Sequence, residues 1–171
     1  MEGRPMISPI IKRCRAFAGG ERGAILVEFA LVLPMMLIFF AVIVEGSRMM
    51  WSYQTAIEGV RDASRYLARV APANICSLGG GYDISVWQPD LQQIVSQTIS
   101  GQVFPTDVTV SVTPGFRCDT GDFRNTPVTI GTVSAQVQIQ FPFSSLLSFF
   151  GGTAPASLQT TLTDQSRIYG S

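Results

Sequence analysis

Hydrophobicity along this chain changes its period as the chain proceeds. From Ala24 to Val44 apolar residues run almost unbroken, interrupted by one charge, Glu28, and one proline, Pro34. A hydrocarbon core about 30 Å thick is crossed by roughly 20 apolar residues in a helix, so this run predicts a membrane span. Beyond it, Met49, Tyr53, Ala56, Val60, Ala63, Leu67 and Val70 recur in alternate steps of four and three. That spacing predicts a single buried stripe on a helix. Glu58, Arg61, Asp62, Arg65 and Arg69 fall on the opposite face, with Glu58–Arg61 and Asp62–Arg65 spaced for i,i+3 pairs. Ala71-Pro72 should end the helix, because the residue before a proline is steered away from helical backbone. The expectation is one helix of about 50 residues, apolar in its first half and amphipathic in its second.

A Gly-rich connection over 73–87 follows, with Gly79, Gly80 and Gly81. Pro89 and Asp90 then suit a first helical turn, Leu91, Ile94, Val95, Thr98 and Ile99 make one apolar face, and Gly101 suits a C-terminal cap. From Val108 the period becomes two. Val108, Val110 and Val112 alternate with Thr109, Ser111 and Thr113 as a half-buried strand, and 114–127 reads as a long polar loop. A second strand is expected over 128–141. Its apolar positions switch from Val128 and Ile130 to Val133, Ala135, Val137, Ile139 and Phe141, and a change of parity at Gly131 suggests a β-bulge. A third, weaker strand at about 156–168 would place Leu158, Thr160 and Leu162 on one face. The connection before it, FPFSSLLSFFGG over 141–152, is too apolar for a solvated hairpin loop. It should cover the core, touch a bilayer or meet another subunit. The pattern thus predicts an α+β protein: a long N-terminal helix, transmembrane and then amphipathic, packed on a small antiparallel sheet with a second helix. Its expected segments are a leader 1–23, a span 24–44, a helical extension 45–72 and an α+β domain 73–171.

Composition narrows the function. Only 14% of residues are charged and mean hydropathy is positive, at +0.28. Histidine is absent, which removes the commonest general base and neutral metal ligand. The formal charge of zero hides an asymmetry. Residues 1–23 carry Arg4, Lys12, Arg13, Arg15 and Arg22 against Glu2 and Glu21, a net of +3, and 24–171 carry seven arginines against ten acids, a net of −3. Basic residues on the leading side orient a span with that side in the cytoplasm. Cys14 then lies in a reducing compartment, while Cys76 and Cys118 lie where disulfides persist. They are expected to pair as a disulfide, the alternative being two free buried thiols. The apolar run exceeds the length of a secretory signal core, contains Glu28 and lacks a small-x-small cleavage site close behind.

Candidate catalytic chemistry is thin. Asp119-Thr120-Gly121 has the form of an aspartic-protease triplet, but that chemistry requires two such carboxylates sharing a proton, and the triplet occurs once. It reads as a solvated turn, with Asp119 and Asp122 at most a weak calcium site. No nucleophile–base pair, phosphate loop, zinc spacing or basic aromatic surface is present. The chain is therefore not expected to be an enzyme, to hold a cofactor or metal, or to bind nucleic acid.

One set of residues is more specific. A basic leader, Gly23, an apolar helix and an acid five residues on, Glu28, resemble a type IV prepilin processing site; VEFALVLP, Val27 to Pro34, narrows the resemblance to the TadE-like pseudopilins of tight-adherence (Tad, Flp-type) pili. The motif similarity spans roughly 21–66; beyond it the likeness is one of pilin-like architecture. The resemblance implies that a prepilin peptidase cuts between Gly23 and Ala24, so that Glu28 becomes the fifth mature residue and pairs with a neighbouring subunit's new amine. An unpaired carboxylate in low dielectric is costly, which supplies the physical motive. Ala24 stands where many type IV pilins carry phenylalanine, which leaves methylation of the amine open. Phe29 belongs to the same motif, and Pro34 would kink the helix or let it unwind on leaving the bilayer. The implied protein is a minor pseudopilin acting in pilus initiation and assembly, and so in surface adhesion and biofilm. Its implied partners are TadF- and TadG-like subunits, the major Flp pilin, the peptidase, the inner-membrane platform and membrane lipid. Its implied place is the bacterial inner membrane, single-pass, with the C-terminal domain in the periplasm. The alternative is an unprocessed anchor carrying a small periplasmic binding domain.

Overall fold

The computed structural model describes residues 21–78, 81–101, 107–122, 124, 126–149, 153 and 155–170. The expected basic leader lies almost wholly outside the described residues. Two compact units are present, Met1–Ile43 and Val44–Ser171.

Helix α1 (Glu21–Val70) supplies the described part of the first unit and opens the second. It is 50 residues long and remains helical through Pro34. Within the first unit most of its apolar side chains are exposed, Leu31 and Met35 at 72% and 73%, with Ala41 the buried exception. It is the one helix among the described residues that is long and apolar enough to cross a membrane.

In the second unit, α1 from Val44 is followed by 3-10 turns at Ile75–Ser77 and Ile84–Trp87 and by helix α2 (Gln88–Ser100). Strands β1 (Val108–Asp119), β2 (Val128–Gln140) and β3 (Ser157–Arg167) complete it, with a short helix α3 (Ser144–Phe149) between the last two. The sheet is antiparallel in the order β1-β2-β3. This is the expected α+β class. From Val44 the helix belongs to the same compact unit as the residues after it, and the stripe on α1 is part of its core.

Ala56, Val60, Ala63 and Leu67 are buried, with Met49 and Tyr53 packed beside them. At the end of the stripe Ala71 is buried in place of Val70, one position further round the turn. Glu58, Arg61, Asp62, Arg65 and Arg69 are exposed, and Asp62 and Arg65 pair at 3.8 Å. Leu91, Val95 and Ile99 bury the expected face of α2. Where α2 crosses α1, Gly59 permits the approach: a Cβ there would lie 3.3 Å from Val95 Cα and from Thr98 Cβ. Gly101 ends α2 in a right-handed conformation, donating its N–H to Gln97 O at 3.1 Å, so no left-handed cap forms.

Two expectations about the sheet need correction. First, β1 continues to Asp119, through six of the residues expected to form a loop. Pro114 is tolerated because β1 is an edge strand, where a missing N–H need not break a ladder. Second, the register is regular throughout, so Gly131 is not a bulge. Odd positions of β2 face the core along its whole length; Thr129 and Gly131 simply occupy core-facing sites without large apolar side chains. Close packing explains Gly131, where a Cβ would meet Leu67 Cδ2 and Ile168 Cγ1 at 3.3 Å. Thr129 satisfies its buried hydroxyl by donating to Ala73 O at 3.3 Å. In β3, Leu162 is buried and Thr160 half-buried, while Leu158 is exposed.

The outer edge of β1 is closed by a side chain. Gln92, on α2, donates from Nε2 to Val110 O at 2.9 Å and accepts the Val112 N–H on Oε1 at 2.8 Å. Its amide therefore stands in for one peptide of a neighbouring strand, at an edge that would otherwise invite pairing. At the opposite side of the unit, Ser64 on α1 hydrogen-bonds Asp164, and Ser166 Oγ donates to Ser64 O at 2.6 Å. Tyr169 N–H reaches Ala68 O at 2.9 Å. Helix α1 and β3 thus run in the same direction.

Candidate processing and anchoring segment

The proposed cleavage and register residues lie on the first turns of α1. Gly23 is half-buried, Ala24 and Glu28 are exposed, and Phe29 is 60% exposed. Ala24 and Glu28 are four apart on the helix and so share a face. Pro34, half-buried, follows six residues after Glu28. Nothing in the second unit is needed to bring these residues together; helical continuity does so alone. Among the described residues no ion pair engages Glu28.

Cys76 and Cys118 form a disulfide with Cα atoms 5.8 Å apart. The first lies in the turn after α1 and the second in β1, so the bond ties the far end of the helix to the sheet edge. Thr129 Oγ1 lies 3.0 Å from Cys76 Sγ. The Asp119 of the protease-like triplet closes β1 and pairs with Arg117 at 3.3 Å, and no cluster of residues suited to a metal ion occurs among the described residues. In the turn before α2, Asp83 accepts from Ser85, whose side chain and then backbone N–H hold its carboxyl below the usual aspartate value.

Sequence reasoning missed the junction where the apolar run ends. Glu45 is 8% exposed; its Oε2 lies 3.6 Å from Arg48 Nη1, and Arg48 also pairs with Asp107, just before β1. Phe143 N–H donates to Glu45 Oε1 at 3.4 Å. The i,i+3 spacing of Glu45 and Arg48 was a readable signal. Asp107 and Phe143, distant in the chain, offered none. Of the apolar connection 141–152, Phe141 packs on the core and Phe143 is 38% exposed. The side chains of Leu146, Leu147 and Phe149, and residues 150–152, lie outside the described residues.

Comparison with curated proteins and with solved structures gives no match. A protein-family comparison does. Its matched region opens at Gly23, takes in Glu28, Phe29 and Pro34, and stops within the amphipathic half of α1. Residues 23–65 are similar to the family described as TadE-like protein.

Proposed function

We propose that the chain is a minor pseudopilin of a Tad-type pilus, anchored in the inner membrane and built for assembly rather than catalysis. The observation that carries this reading is that the TadE-like match begins at Gly23, the residue at which a prepilin peptidase would cut. Two physical features support it. Helix α1 presents a largely apolar, exposed surface up to Val44 that must be covered by lipid or by neighbouring helices. The Cys76–Cys118 bond suits an oxidising compartment, so residues beyond the span belong outside the cytoplasm.

On this reading cleavage after Gly23 creates an ammonium at Ala24, and Glu28 of an adjacent subunit neutralises it in a medium of low dielectric. The pairing sets the axial register while the apolar faces of α1 pack side by side. The unit Val44–Ser171 supplies lateral contacts in initiating the filament, and so contributes to adhesion.

N-terminal sequencing of membrane-extracted protein tests the reading: a start at Ala24 is expected, and an intact leader in piliated cells refutes it. Gly23→Ala should block maturation. Glu28→Ala should be cleaved but assemble poorly, and normal piliation in that strain overturns the register role.

A further inference from the structure

We propose that the outer edge of β3 binds an extended segment of another polypeptide as a fourth strand, laid in the cleft between β3 and α1. All the residues involved lie within the unit Val44–Ser171, and the site exists whether or not the chain is processed or spans a membrane.

The phase of the β2–β3 ladder fixes which backbone groups are available. Just before β3, Ala156 O accepts from Phe141 N–H at 2.9 Å; just after it, Ile168 N–H donates to Thr129 O at 3.0 Å. Even-numbered residues therefore face β2, and in an antiparallel ladder the residues between them face away. The N–H and C=O groups of Gln159, Thr161 and Thr163 thus point outward from the sheet. Tyr169 is in phase with them, and its N–H is met by Ala68 O of α1. Through Ser64, α1 also engages Asp164 and Ser166, so the helix closes the last part of this edge. From Gln159 to Thr163 no group among the described residues meets the outward-facing backbone. The other edge of the sheet is clamped by Gln92; this one is left open.

A cleft of about 310 Å³ lies along the open stretch, between Tyr53, Ile57 and Arg61 on α1 and residues 161–164 on β3. Its chemistry selects the occupant. Outward backbone groups at every second residue are met by another peptide backbone, which supplies affinity, while pockets for alternate side chains supply specificity. Side chains turned toward α1 would meet Tyr53 and Ile57, both half-buried against the core, and must be apolar. Those on the other face would continue the rows of Gln159, Thr161 and Thr163, and fit threonine, serine or glutamine. Arg61 and Asp164, the charged groups of the lining, have opposite signs and lie together at the closed end. The cleft therefore suits a segment without net charge. In a second copy β1 has this alternating pattern, but Gln92 already occupies its edge, so the fitting partner is a segment of a different polypeptide.

Blocked pentapeptides Thr-X-Thr-X-Thr, with X valine, leucine or phenylalanine, test this when titrated into the detergent-solubilised full chain. Amide hydrogen exchange at Thr161 and Thr163 should slow about tenfold at saturation with at least one of them. The fully N-methylated peptides, which have no backbone donors, should have no effect. Thr161→Pro deletes one outward N–H without touching the ladder to β2, a position that an edge strand tolerates, and should weaken binding about tenfold. Should Thr161→Pro fail to fold, Ile57→Arg, which fills the cleft from α1, is expected to give the same loss. The proposal is overturned if none of the peptides protects these amides, or if protection survives N-methylation or the substitution. Sedimentation of the peptide-free chain as a dimer that Thr161→Pro dissociates overturns it in favour of β3 pairing with a second copy.

Discussion

Gln92 closes the edge of β1 with a side chain, and the stability that this contributes can be worked from its two hydrogen bonds. Gln92→Leu shortens the side chain by one atom but keeps a similar helix propensity, so α2 itself should be unaffected. It removes the donor to Val110 O and the acceptor of the Val112 N–H. A hydrogen bond of this kind contributes about 1 kcal/mol net, so the loss of both should cost about 2 kcal/mol. Gln92→Glu keeps the acceptor for Val112 N–H but sets a carboxylate oxygen, with no proton to donate, against Val110 O; their repulsion should keep it from restoring the stability lost in Gln92→Leu. For a unit of about 130 residues, 2 kcal/mol lowers the melting temperature by roughly 7 °C. The assay is thermal unfolding of the detergent-solubilised chain followed by tryptophan fluorescence. Trp87, which immediately precedes α2 and makes an edge-on contact with Tyr66 at 6.5 Å, reports on the packing concerned. Gln92→Leu should also raise the tendency of the unit to associate through β1, since the freed edge can pair. A Gln92→Leu variant that melts within 1 °C of the wild type and stays equally monodisperse refutes the clamp.

Other substitutions probe separate contacts. Replacing both Cys76 and Cys118 by serine opens a loop with ends 42 residues apart, and the chain-entropy relation gives a loss of about 4 kcal/mol, readable as a lowered midpoint in urea with no further effect of reductant. Arg48→Met leaves Glu45 and Asp107 facing one another at a site where their side chains are 10% and 25% exposed; a loss of about 3 kcal/mol is expected in the same denaturant assay. Gly59→Leu forces a side chain against the backbone of α2 and should cost about 2 kcal/mol. Gly59→Ala should be nearly neutral, because a gain of about 1 kcal/mol in helix propensity offsets the tighter contact.

The long helix, its bare apolar half, the buried stripe from Ala56 to Leu67 and the core face of α2 were all legible in the sequence. Each depends on residues a few positions apart, and local periodicity records that directly. The Gly23-to-Pro34 segment was legible for the same reason: its residues meet on one continuous helix. The pairing of Cys76 with Cys118 was expected from their compartment, and the fold forms it by bringing the turn after α1 to the end of β1.

What escaped the sequence depends on neighbours far along the chain. Polarity made residues 114–119 resemble a loop, yet they form strand because β2 supplies hydrogen-bond partners opposite each of them. Gly131 resembled a bulge because the apolar parity changed there; in the fold Leu67 and Ile168 fill the space above it, so the position needs no side chain of its own. Asp107 and Phe143 meet Arg48 and Glu45 only after the sheet has folded against α1. Amino-acid order alone determined the helix, its apolar surface and the candidate cleavage motif, since these arise between near neighbours on one rod. Tertiary structure decided the edge clamp and the junction at Glu45, because those contacts exist only once distant segments share a surface.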